Sequence, residues 1–281
     1  MLNTQKIAFI GAGSMAEAII GGLITEQLID PKQVIATNNA NEKRLQELEE
    51  KYGIQTTANN ETAIQNADIV VLAMKPKHLT EAAEQINAFI SDQLIISVLA
   101  GISTSYIEES IGKSISVIRA MPNTSAKVGA SATSLCKGRF AYDEHIQKAS
   151  SLFSAIGTVT ILSEEKMDAV TGVAGSGPAF FYYFVEAIEN AALEAGLTEN
   201  ETKELIAQTL TGAARRLRNT DKSARELYME VMSPAGTTEA AFEVLENHNV
   251  KEHVKNSVLR AIERSQELGA TPAPFTSVNK Q

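Results

Sequence analysis

The sequence predicts an α/β protein: an N-terminal doubly wound parallel sheet followed by a C-terminal all-helical domain. Three observations predict it. Short β-rich runs alternate with helical patterns through the first half of the chain, the signature of parallel βαβ units. The first run ends in a glycine-rich turn that changes at once to helical spacing. After about Leu162 the strand pattern stops and almost everything reads as helix.

The opening run Ile7–Ile10 leads into Gly11-Ala12-Gly13-Ser14-Met15-Ala16. Gly11 permits a tight turn, and Gly13, lacking Cβ, lets a pyrophosphate approach the backbone. Ala16 is small enough for the helix to lie close to the strand. The free N–H groups at the helix start then face the phosphates. This is a Rossmann-like dinucleotide signature, and it makes Ile10, Gly11, Ala12, Gly13, Ser14 and Met15 candidate cofactor contacts. Further strands are expected at Val34–Thr37, Ile69–Ala73, Leu94–Leu99, Ile115–Arg119, Ala130–Cys136 and Thr158–Leu162. Helices are expected between them, at Met15–Thr25, Glu42–Tyr52, Glu61–Asn66, Pro76–Ile90, Ser103–Ile111 and Asp143–Ile156.

Beyond Leu162 the expected helices are Glu164–Thr171, Pro178–Ala195, Thr198–Arg218, Ser223–Met232, Ala235–Glu246 and Val250–Leu268. Pro178 suits a first turn, Gly196 a stop, and Thr198 with Glu201 a capping box. The domains are therefore expected at 1–162 and 163–281. The helical part is rich in Ala and Val on more than one face, more apolar surface than a small helical domain buries alone. It is expected to be an all-α dimerisation domain.

Of the 281 residues, 44% are hydrophobic and 21% charged, with a formal net charge of −9. That balance argues against nucleic acid or an anionic membrane as partner. The single cysteine, Cys136, excludes an intrachain disulfide and sits in an apolar stretch, so it reads as a small buried residue. The chain runs straight into a strand without a leader pattern, and no run suits a membrane span, so the cytoplasm is the expected location. No Cys/His metal cluster appears, and His78, His145, His248 and His253 lie in polar helical contexts that read as exposed.

Cofactor choice is written at the end of the second strand, where an NAD enzyme usually places an acid for the ribose 2′-hydroxyl. Here Thr37, Asn38 and Asn39 stand there, no acid comes before Glu42, and Lys43 and Arg44 follow. NADPH is favoured over NADH. Ala73, Met74, Lys75 and Pro76 end one strand, and Val98, Leu99 and Ala100 follow another. Both ends are expected to line the ribose and nicotinamide. Two later loops open helices in an anion-friendly way: Gly175-Ser176-Gly177-Pro178, and Ser233-Pro234-Ala235-Gly236-Thr237-Thr238. Each Ser or Thr suits ordinary capping. Two such loops in one small domain point to a carboxylate site.

Taken together, these segments resemble the pyrroline-5-carboxylate reductases along essentially the whole chain. Beside the opening glycine turn, the matching stretches are Leu72–Pro76, Ser97–Gly101, Met121–Thr124, Asp168–Gly172, Gly175–Ala179 and Ser233–Thr238. The last two are the specific ones. The resemblance implies reduction of 1-pyrroline-5-carboxylate to L-proline with NAD(P)H, and dimerisation through the helical domains, in several members as a ring of five dimers. It implies that Thr238 faces the substrate nitrogen and that Gly236, Thr237 and Thr238 hold the carboxylate. Glu164 matches a substrate-site glutamate, and Asn59 a cofactor contact. The family often has Asn at Ser14, Arg at Asn39, Pro at Ser125 and Gly at Ala235. An Arg at position 39 would pair with a 2′-phosphate, and this chain has none there. Two rivals fit the fold less well. A β-hydroxyacid dehydrogenase needs a Lys soon after its glycine-rich loop, and Pro178–Tyr183 offers none. A dinucleotide-sensing scaffold has no use for the two carboxylate loops.

Overall fold

The computed structural model describes Leu2 and residues 4–38 and 41–270. Eight strands form one sheet: β1 (Ile7–Ile10), β2 (Val34–Thr37), β3 (Gln55–Thr57), β4 (Ile69–Leu72), β5 (Leu94–Ser97), β6 (Val117–Met121), β7 (Ser131–Lys137) and β8 (Gly157–Ile161). Their order is β3-β2-β1-β4-β5-β6-β7-β8. All neighbours pair in parallel except β6 with β7. The loop between those two holds only a 3₁₀ turn, Thr124–Val128, and no crossover helix, so the chain reverses instead.

The interior strands read as unbroken apolar runs because both faces are covered. One face carries α1 (Ser14–Thr25), α2 (Glu42–Tyr52) and α6 (Asp143–Phe153), which pack against Ile7, Phe9, Val71 and Ile96. The other carries α3 (Asn60–Ile64), α4 (Leu79–Asn87) and α5 (Thr104–Ile111), against Ala8, Ile10, Val70 and Ile95. Each fully buried Ile or Leu contributes about 1.5–3 kcal/mol. β1, β2 and α2 have the bounds the sequence predicts. β3 is an addition: a short, polar edge strand without the apolar run that marks the others. The helix expected over 76–90 is a 3₁₀ turn at Pro76–His78 followed by α4.

After β8, a 3₁₀ turn at Glu164–Lys166 leads into α7 (Met167–Val170) and a π turn at Thr171–Gly175. Five longer helices follow: α8 (Gly177–Glu194), α9 (Glu199–Arg218), α10 (Ala224–Val231), α11 (Thr237–Asn247) and α12 (Val250–Ala270). The Thr198–Glu201 capping box is formed. The chain divides into two compact units, Met1–Pro178 with Arg260–Gln281, and Ala179–Leu259. Residues 163–178, expected in the helical domain, therefore pack in the first unit. There Met167 is fully buried and Asp168 accepts from Ser265 Oγ at 2.7 Å. Among the described residues no helix is long and apolar enough to cross a membrane.

Candidate active site

β1 and β4 lie side by side at the point where the strand order reverses, and ligands in such sheets bind outside the carboxyl ends there. The turn after β1 presses against the loop after β4. Gly11 has φ of +104°, and a Cβ on it would stand 2.7 Å from the Met74 nitrogen. Only glycine fits. The two loops frame a cleft of about 570 Å³, lined by Ile10–Met15, Thr37, Asn38, Ala73, Met74 and Lys75. Gly13 is the N-cap of α1 and carries no side-chain cap, so the first N–H groups of α1 stay open to the cleft. Size, backbone donors and the missing Cβ fit a dinucleotide diphosphate.

The rest of the lining comes from Asn60, His78, Glu81, Ala82 and Gln85, which sequence reasoning does not reach. Thr37 Oγ1 donates to Asn60 Oδ1 at 2.7 Å, and Asn60 Nδ2 donates to Gln85 Oε1 at 2.8 Å. The expected Asn59 lies one residue away. It caps α3, accepting from the Thr62 N–H at 3.2 Å, and lines a neighbouring hollow with Glu61 and Phe89. Pro76, Val98, Leu99 and Ala100 lie outside the cleft lining, and Leu99 is buried. Asn39 lies outside the described residues.

Glu164 sits in a polar knot beside β6, β7 and the start of α5. Its Oε1 accepts from Arg119 Nη1 at 2.6 Å. Its Oε2 accepts from the Thr104 N–H at 3.4 Å and from Cys136 Sγ at 3.2 Å. Arg119 is buried, with Asp168 Oδ1 3.9 Å from its Nη2. Burial, with the Glu164 carboxylate second, pushes the Cys136 thiol up, so it stays protonated and is no nucleophile. Ser176 joins the π turn to α8, and Gly177 is the first residue of α8. The Ser176 N–H returns to the Thr171 carbonyl at 2.9 Å, and Asn123 Nδ2 holds the Ala174 carbonyl at 3.0 Å.

In the second unit, Ser233 to Gly236 form the turn that opens α11, closed by the Gly236 N–H to the Ser233 carbonyl at 3.0 Å. The N-cap is Gly236, and no side chain caps the helix. Ser233, Thr237 and Thr238 are therefore not spent on capping, and N–H groups of the first turn remain available for an anion. Ala235 has φ of +56°. Of the four histidines, His145 is tucked in: its Nδ1 accepts from the Tyr142 N–H at 3.0 Å, and burial lowers its pKa. The other three are exposed, as expected.

A Rossmann-like sheet with a cleft at its switch point, followed by a helical region, is the architecture of a two-domain nicotinamide-dependent oxidoreductase. Residues 6–101 match the family model described as NADP oxidoreductase, coenzyme F420-dependent. Residues 164–268 match the one described as pyrroline-5-carboxylate reductase dimerisation. Pyrroline-5-carboxylate reductase 1 of Bacillus subtilis is 40% identical over 285 residues, which span the whole of this chain and 96% of that one. A solved pyrroline-5-carboxylate reductase from Coxiella burnetii is 38% identical, with a TM-score of 0.86 over 96% of this chain and all of that one. The Plasmodium falciparum pyrroline carboxylate reductase, solved with NADP bound, is 26% identical, with a TM-score of 0.88 over 95% of this chain and 99% of that one. The chain belongs to the pyrroline-5-carboxylate reductase family, and its helical region is one of self-association.

Proposed function

We propose that this protein reduces 1-pyrroline-5-carboxylate to L-proline with NADPH in preference to NADH, as a cytoplasmic homodimer, with a ring of five dimers as the larger assembly. The full-length match to reductases of this one activity carries the reading. The Gly11–Met15 cleft and the open turn at α11 support it.

The substrate is a cyclic imine whose iminium form is already electrophilic, so the site needs no strong acid. Positioning and electrostatics are enough. When bound, the reduced nicotinamide supplies the hydride. The Gly11–Met15 backbone holds the diphosphate. In the helical unit, Gly236, Thr237 and Thr238, with Ser233, bind the substrate carboxylate through N–H and hydroxyl groups; Ser176 and Gly177, in the first unit, are further substrate contacts. Thr238 is the catalytic residue: its hydroxyl orients the imine nitrogen. Glu164, pinned by Arg119, is a further substrate contact. The preference for NADPH rests on the lack of an acid at the end of β2, where Glu42 is exposed in the first turn of α2, and on the nearby Lys43.

The test is nicotinamide oxidation by the purified protein with each cofactor, with and without the imine, together with assay of proline. Imine-dependent oxidation with a higher kcat/KM for NADPH is expected. A folded, self-associated protein that binds NADPH but oxidises neither cofactor would overturn the reading in favour of a dinucleotide sensor. Thr238→Ala is expected to lower kcat about tenfold or more without abolishing it. Unchanged kcat and unchanged substrate KM would remove Thr238 from the reaction.

A further inference from the structure

A charged cluster lies behind the glycine turn, and no step above uses it. Arg44, in the first turn of α2, donates from Nε to the Ala12 carbonyl at 3.0 Å. Its Nη2 pairs with Glu17 of α1, and its Nη1 reaches Glu47 at 3.3 Å. The Glu17 carboxylate also accepts from Lys51 Nζ at 2.9 Å and from the Tyr52 hydroxyl at 3.3 Å. These bonds hold the Glu17 carboxyl well below the usual carboxylate range. The side chains of Arg44 and Glu17 keep only 21% and 23% of their surface in solvent.

The Ala12–Gly13 peptide is planar and trans, so its carbonyl and the Gly13 N–H point in opposite directions. Holding the Ala12 oxygen against Arg44 turns the Gly13 N–H the other way. Ala12, Gly13 and Ser14 all line the cleft, and among the described residues the Gly13 N–H donates to no backbone acceptor. The same three bonds spend the guanidinium. The sequence offers Arg44 as a cation for a 2′-phosphate, but its fork is already filled by Ala12, Glu17 and Glu47.

We propose that Arg44 is a positioning residue for the diphosphate common to NADH and NADPH: its grip on the Ala12 carbonyl aims the Gly13 N–H at that group, and it takes no part in choosing between the cofactors. The proposal rests on the cleft being the dinucleotide site.

Calorimetric titration of the full-length protein with NADPH, NADH and ADP-ribose tests it. In Arg44→Ala all three are expected to bind about tenfold more weakly, with the NADPH-to-NADH ratio held within about twofold. The cofactor KM rises while kcat at saturation is kept. A merely structural role would lower the melting temperature and the active fraction and leave the affinities of the folded protein alone. Glu17→Gln loosens the same brace from its other end and is expected to act in the same direction, more weakly. If Arg44→Ala does not fold, Arg44→Lys keeps the charge without the Nε–H fork and carries the comparison with Glu17→Gln. Weakening of NADPH alone would make Arg44 a reader of the 2′-phosphate and overturn the proposal, and so would three unchanged affinities. Failure of the wild-type protein to bind any of the three would instead bring down the reading of the cleft, and the proposal with it.

Discussion

The two compact units are held together by different means. The first, around the sheet, buries most of its large apolar side chains, and Phe9, Phe153 and the isoleucines Ile7, Ile69, Ile95, Ile96 and Ile118 of the inner strands are closed off from water completely. The second, Ala179–Leu259, is helical throughout and has one fully buried residue, Thr202. Along α8, Phe181, Tyr182 and Tyr183 are each more than 60% exposed, and Ile188 more than half. Conformational entropy costs both units about the same per residue, and only the first has a core of its own to offset it. Helices without a core lack the tertiary packing that normally sustains them. The second unit is therefore stable only to the extent that other surface covers it, and a self-association region must be stabilised by mass action while the sheet is not.

The sharpest way to break this contrast is to charge the open face of α8. Phe181 and Ile188 lie two helical turns apart on one side. Phe181→Glu with Ile188→Glu is expected to weaken self-association by about a thousandfold or more, about 4 kcal/mol. Sedimentation should then show monomer, and the helical signal should fall, while NADPH binding at the first unit survives. A variant that stays assembled would mean that this face is covered by something other than a second copy.

A change in the sheet unit should behave differently. Phe153→Ala empties a fully buried site at the end of α6 and is expected to cost about 3–5 kcal/mol. Its effect on melting should not depend on protein concentration, whereas melting of the helical unit should.

The same contrast governs what could be read in advance. β1, β4 and β5 are apolar runs between turn signals, and their existence follows from that pattern alone. β5 ends at Ser97, earlier than the apolar run suggests, where the Ser97 hydroxyl accepts from the Leu99 N–H at 3.3 Å and draws the chain out of the ladder. The polar Gln55–Thr57 strand has no such signal and forms because the edge of β2 is open to it. That the glycine turn and Ala73–Lys75 line one cleft is legible because both stand at strand ends, where local backbone sets their place. Asn60 and Gln85 were not, since a partnership over 25 residues of chain leaves no periodicity. The pairing of Arg44 with Glu17 is hidden for the same reason, since the two lie 27 residues apart. The helical region is legible as helices, and the match to the dimerisation family begins at residue 164, while its first residues pack in the sheet unit. Residues 163–178 look helical by sequence and yet are fastened to the sheet by Arg119, Cys136 and Asn123, whose bonds to Glu164 and Ala174 span 28–51 residues.

A smaller, pH-dependent effect belongs to the first unit. Glu17 is held near pKa 2, against 4.5 for the free carboxyl, by its hydrogen bonds with Arg44 and Lys51. A lowered folded-state pKa contributes stability that is fully present above the unfolded value and is lost as pH falls toward the folded one. The loss should therefore run from about pH 4.5 down to about 2. With partial solvent exposure discounted, Glu17→Gln is expected to cost about 1–2 kcal/mol at neutral pH. It should also flatten the acid limb of the stability curve. An acid limb identical to that of the wild-type protein would show that the cluster carries no net stabilisation.

The smallest effect lies in the second unit and has the opposite sign. Ala235 adopts φ of +56°, a left-handed conformation that costs a residue with a Cβ about 1–2 kcal/mol. Its N–H donates to Glu239 Oε2 at 2.6 Å, so the strained residue closes the turn in front of Thr237 and Thr238. A glycine there removes the Cβ clash but enlarges the unfolded ensemble, a cost of about 0.5–1 kcal/mol. Ala235→Gly should therefore stabilise the helical unit by about 0.5–1 kcal/mol, seen as a small rise in its concentration-dependent melting temperature. Because the unit has almost no core, a gain of this size is a larger share of its stability than it would be in the sheet. An unchanged sheet transition with a raised helical one is the expected pattern. A fall in the helical transition would mean that the left-handed turn is not the conformation that leads into α11.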